Sequence, residues 1–151
     1  MADYDFDESL GYWLTITTQA WHHVMMERLA PDGITYRQMH VIGWLKLEGE
    51  LSQAELARKM MIEPPTLVRI LDRMEAADLL RRIDDPVDRR RRNLRLTLRS
   101  EPIWERITEC ARELRAAAAT GLSPAEVAQL KKLLRKVHAN LGVEEAVPQP
   151  V

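Results

Sequence analysis

The chain has one cysteine, one phenylalanine, six glycines and no long apolar run. A lone Cys110 excludes an internal disulfide, and its place in a helical, partly apolar stretch points to burial and not to redox sensing. No segment approaches the roughly 20 uninterrupted apolar residues that span a bilayer. The N-terminus, MADYDFDESL, is acidic where a signal or transit peptide would be basic, so a cytoplasmic protein with no membrane partner is expected. His22, His23, His40 and His138 include no pair at i, i+4 spacing and no neighbouring cysteine pair, so no metal site is expected. A Gly-rich phosphate loop, a GxSxG elbow and a carboxylate pair outside charged surfaces are all missing, which speaks against an enzyme and leaves no cofactor to expect. What is present, 151 residues at 46% hydrophobic, suffices for one domain or two small intimately packed ones.

The net charge of −1 conceals a segregation. Residues 58–99 hold twelve Arg/Lys against seven Asp/Glu, a local +5 that leaves −6 for the rest. One surface facing a polyanion, on an otherwise acidic body, accounts for that split; a solvated charged face is the plainer alternative.

Apolar residues at Leu10, Leu14, Trp21, Val24 and Met25 predict a long helix from Ser9 to about Leu29, broken by Pro31 and Gly33. Thr35 is the expected N-cap of a second helix running to about Leu47. Ser52 and Glu55 have capping-box spacing, which predicts a short helix over 53–60. Pro64 and Pro65 suit only a helix start, and Leu67, Ile70, Leu71 and Met74 then form an apolar stripe opposite Thr66, Arg69 and Arg73. Two short helices joined by a tight turn, the second wet on a Thr/Arg face, have the outline of a helix-turn-helix.

DDPVDRRRRNLRLT, residues 84–97, discriminates further. Leu94, Leu96 and Leu98 alternate with Arg95, Thr97 and Arg99 as in a half-buried strand, LLRRI (79–83) is its antiparallel partner, and 84–93 is the loop between them. Arg89, Arg90, Arg91 and Arg92 at a hairpin tip repel one another and fill no core, but they suit phosphates and the narrow minor groove. Asp88 either orients a neighbouring guanidinium or simply forms the turn after Pro86 and Val87. After the hairpin, a helix from about Ser100 to Thr120 and another capped by Ser123, with Val127, Leu130, Leu134, Val137 and Leu141 in register, complete the chain. Residues 143–151 look frayed.

The fold class expected is mainly α with a small β-hairpin wing: a winged helix-turn-helix with long dimerisation helices at both ends. The divisions are residues 1–34, an N-terminal dimerisation helix; 35–99, the DNA-binding lobe; 100–142, C-terminal dimerisation helices; and 143–151, a tail. The long helices exceed what so small a module needs to cover itself, and a second copy is the favoured partner because a two-fold protein reads a two-fold site on double-stranded DNA. A helical interaction module whose basic wing binds acidic protein or RNA is the alternative.

RLAPDGIT (28–35), SQAELA (52–57), IEPPTLVRILDRMEAADLL (62–80), DPVDRR followed by LRLT (85–97) and SEPI (100–103) together resemble the MarR family of transcriptional regulators, and within it the SlyA branch, over roughly residues 10–141. The resemblance implies a winged-helix homodimer whose first, fifth and sixth helices intertwine. It places the helix starting near Pro65 in the major groove, with Thr66 and Arg69 among its contacts, Arg90 in the minor groove and Asp88 bracing it. It also implies an effector, a small aromatic acid or phenol, in a region built here from Trp13, Trp21, His22, Thr35, Arg37, Met39 and His40; core packing of Trp21 and Met39 and solvation of His22 and Arg37 are the plainer account of the same residues. The cysteine through which peroxide-sensing members act has no counterpart near the start of the first helix. Met61 and Asp78 stand where the family often has glycine, and Pro64 replaces a commonly polar residue, which removes a possible polar base contact.

Overall fold

The computed structural model describes residues 5–85, 87–88 and 92–142. Arg89, Arg90, Arg91 and the 143–151 tail lie outside the described residues. Six α-helices and a three-stranded antiparallel sheet make up the rest: α1 Leu10–Leu29, α2 Tyr36–Glu48, β1 Leu51–Ser52, α3 Gln53–Lys59, α4 Pro64–Ala76, β2 Leu80–Asp84, β3 Arg92–Leu96, α5 Glu101–Ala118 and α6 Pro124–Asn140.

Local chemistry sets most boundaries. Ser9 caps α1 by accepting from the Tyr12 amide. Thr35, Ser52 and Ser123 each form a full capping box, with Gln38, Glu55 and Glu126 returning the bond to the N-cap amide. The helix-turn-helix pair ends both of its helices with left-handed residues that are not glycine, Met61 (φ 50°) after α3 and Asp78 (φ 56°) after α4. Each closes a Schellman motif: the Ile62 amide donates to the Ala57 carbonyl and the Leu79 amide to that of Met74.

β3 is central, pairing with β1 (Leu51 opposite Leu94) and with β2 (Leu80 opposite Leu96 through Asp84 opposite Arg92). This corrects the expected hairpin in three places. Asp84, Arg92 and Asn93 are ladder residues and not loop, so the connection is 85–91. Leu98 leaves the strand for a 3-10 turn over Leu98–Ser100 and is 86% exposed, because the Thr97 hydroxyl bonds back to the Asp78 carbonyl and its backbone oxygen receives the Ser100 amide. Third, β1 completes the sheet from a segment expected only to precede a helix.

The core lies between α2, α3, α4, the sheet, the end of α1 and one face of α5, with Leu29, Ile42, Leu56, Leu67, Leu71, Met74, Leu80, Leu94 and Cys110 all but sealed from solvent. Arg106 on α5 donates to Asp32 (2.7 Å) and Glu109 (2.8 Å), and Arg28 on α1 reaches Glu113 (2.8 Å), so α5 is fastened to the end of α1. By contrast, no residue of α6 is buried, and in α1 only Met25 and Leu29 are.

Candidate nucleic-acid interface

α4 is built to show one face. Leu67, Leu71 and Met74 sink into the core at i, i+4, i+7, which turns Pro65, Thr66, Arg69 and Arg73 to solvent. Among the described residues neither Arg69 nor Arg73 has an ion-pair partner, so both guanidiniums stand uncommitted on this face. The helix starts with Pro64 and Pro65 after an N-cap Glu63 whose side chain makes no capping bond.

The wing is anchored to α4 by Arg82, whose guanidinium bonds Glu75 and reaches Asp72 at 2.7 Å, while its backbone amide donates to Glu75 at 2.9 Å. These bonds, the backbone one foremost, hold the Glu75 carboxyl below the usual carboxylate range. At the far end, Asp85 organises the loop: Oδ1 accepts from the amides of Val87 (2.8 Å) and Asp88 (3.0 Å), and Oδ2 from the Asn93 side chain (3.1 Å). Asp88 thus sits inside an Asx turn. Arg92, expected at the tip, stands in β3 with Nε 3.9 Å from Asp84, its cross-strand partner. The wing arginines Arg89, Arg90 and Arg91 are outside the described residues. Nothing in the local sequence marks Arg82 as a partner of α4, whereas the Asp-Pro-Val-Asp run carries the signal of an Asx turn at Asp85.

The residues expected to hold an effector separate into groups. His22 from α1 meets Tyr36 and His40 from α2: the Tyr36 hydroxyl is 3.2 Å from His22 Nε2, the Tyr36 and His40 rings are 4.1 Å apart, and the Arg37 guanidinium lies 5.9 Å from the Tyr36 ring centre. Burial, followed by the neighbouring His22 and Arg37, lowers the His40 pKa, and burial raises that of Tyr36. Met39 and His40 also edge an apolar cleft of about 430 Å³ between α2 and α5, walled by Trp44, Leu47 and Trp104. Trp13 is elsewhere, its indole donating to the Asp7 carbonyl at 2.8 Å, Trp21 is partly exposed, and the Thr35 hydroxyl caps α2. Tyr36, Trp44 and Trp104 escape sequence reasoning because nothing local marks which aromatic residues meet across helices. Among the described residues no three His, Cys, Asp or Glu side chains gather as for a metal, and no helix is long and apolar enough to cross a membrane.

A family model described as MarR family matches residues 32–91, the helix-turn-helix and most of the wing. Transcriptional regulator PA3341 superposes with a TM-score of 0.80 at 30% identity over 89% of this chain and 98% of its own. BpsR of Bordetella bronchiseptica, whose DNA binding is regulated by 6-hydroxynicotinic acid, aligns at 0.77 and 26% over 91% of this chain and 98% of its own. A cysteine-to-serine mutant of MarR from E. coli, complexed with operator DNA, aligns at 0.75 and 27% over 85% of this chain and 92% of its own.

Proposed function

The chain belongs to the MarR family of transcriptional regulators, and from that premise we propose that it is a cytoplasmic repressor or anti-silencer of the SlyA-like branch that grips palindromic operator DNA as a homodimer. α4 enters the major groove, with Pro65, Thr66, Arg69 and Arg73 toward the DNA, and the wing, Asp88 with Arg89, Arg90, Arg91 and Arg92, takes the flanking minor groove. The observation that carries this is the uncommitted Arg69 and Arg73 face of α4, tied through Arg82 to the β2–β3 hairpin. Phosphate contacts supply most of the affinity, and the helix supplies most of the choice of sequence. The second copy covers the apolar sides of α1 and α6 that this chain leaves exposed, including Leu10, Leu130, Leu133 and Leu134.

The effector in this proposal is a small aromatic acid or phenol, and Trp13, Trp21, His22, Thr35, Arg37, Met39 and His40 are the residues assigned to it. Support comes from the His22, Tyr36, Arg37 and His40 cluster, where hydrogen-bonding and cationic groups meet aromatic faces at the seam of α1 and α2. Effector binding weakens DNA binding by favouring a lobe spacing that cannot reach both half-sites, which requires unequal affinity for the two states.

The test is fluorescence anisotropy on duplex DNA from upstream of the chain's own reading frame against scrambled DNA, across a salt series. Wild type should prefer the palindrome and lose affinity steeply with salt, and Arg90→Ala should cost about 1–3 kcal/mol. Binding indifferent to sequence and to the mutation would replace the operator with an acidic protein or RNA partner.

A further inference from the structure

The exposed arc of α4 is divided lengthwise. At about 100° per residue, Thr66, Arg69 and Arg73 form one flank, while Pro64, Val68 and Pro65 form the other, all six exposed. Met61, in the turn just before the helix, is another exposed apolar residue at this end, 85% exposed. Farther along, that flank becomes acidic, and its Asp72 and Glu75 are tied to Arg82, so the apolar surface is confined to the leading end.

The fold has no use for this surface. None of Met61, Pro64, Pro65 and Val68 packs in or against the core. Met61 holds a left-handed conformation that glycine would adopt without strain, so a side chain is kept there at a cost to the fold. Nor is this end a phosphate site. A helix N-terminus binds anions through its first amides, but Pro64 and Pro65 have no amide hydrogen, and the N-cap is the anionic Glu63. What remains is apolar contact. In the major groove the apolar feature of a base edge is the C5-methyl group of thymine.

We infer that Met61, Pro64, Pro65 and Val68 read thymine methyl groups beneath the leading end of α4, while the Thr66, Arg69 and Arg73 flank takes polar base edges and phosphates. This rests on α4 being the recognition helix of the proposed regulator, with which the apolar flank is continuous. Pro64 therefore redirects base choice from hydrogen bonding to methyl recognition.

The experiment selects duplexes from a random library with the full-length chain, then replaces each thymine of the selected site singly with deoxyuridine. That change removes one methyl group and keeps every hydrogen-bonding group. Affinities are read by anisotropy for wild type, Val68→Ala, Pro64→Ala and Met61→Ala, with thermal unfolding as the control for folding. The expected result is thymine in each half-site, about a fourfold loss per contacted methyl, and a loss that shrinks in the variant that has given up the contact. A selected site indifferent to deoxyuridine throughout would overturn the inference and leave DNA binding standing. So would methyl losses that persist undiminished in all three variants. Failure to enrich any sequence would overturn the proposed function together with this inference.

Discussion

Among single residues, the left-handed Met61 and the half-buried His40 each carry a testable consequence. A Cβ at φ 50° crowds the backbone, so Met61→Gly should raise unfolding stability by about 1 kcal/mol in urea denaturation, less the added freedom of glycine in the unfolded chain. His40 is the opposite kind of site, where the folded state disfavours a proton. Because burial, His22 and Arg37 lower its pKa from 6.5, the unfolded chain binds the proton more readily. The stability it confers is therefore full above about pH 6.5 and is lost as pH falls through the folded-state value. Urea midpoints measured from pH 8 to 5 should fall on the acid side, and His40→Gln should flatten that slope. Tyr36, hydrogen-bonded to His22 on the same seam, is the neighbour whose ring resonances would report the change.

At the scale of elements, helix positions were legible in the sequence wherever capping was local. Ser9, Thr35, Ser52 and Ser123 each sit one residue before an observed helix, since a cap and its partner are three residues apart and need nothing else. Strand limits were not legible in the same way. β1 exists only because β3 lies beside it, and Arg92 joined the ladder because Asp84 stands opposite, both facts of pairing across distant sequence. For the same reason the solvent-facing Thr66, Arg69 and Arg73 stripe of α4 could be read from periodicity, whereas Arg82, which couples that helix to the wing, could not. Arg82→Met should leave Asp72 and Glu75 facing each other without their cation and cost about 1–2 kcal/mol, with amide exchange accelerating in β2 and β3 ahead of the helices. Equal acceleration everywhere would mean that Arg82 supports the lobe as a whole and not the wing in particular.

The whole molecule combines a well-sealed lobe with long helices that find little to cover them. The apolar stripes of α1 and α6 were plain in the sequence, but which of them the chain buries for itself was not, because periodicity shows that a face is apolar and not what meets it. Only the end of α1 and one face of α5 are turned inward. Sedimentation equilibrium of the full chain should give a dimer, and a chain ending at Leu122 should be monomeric and bind the palindrome more weakly.

α6 buries none of its residues against its own chain. In the proposed homodimer its folding would become a matter of mass action. In the dimer, each tenfold dilution removes about 1.4 kcal/mol of assembled stability, so the thermal midpoint should drop as protein is diluted, where a self-sufficient monomer's would not move. A regulator that dimerises as proposed would tie its structural integrity to its own abundance: scarce copies would hold their terminal helices loosely, and operator occupancy would respond to expression level more steeply than simple binding allows.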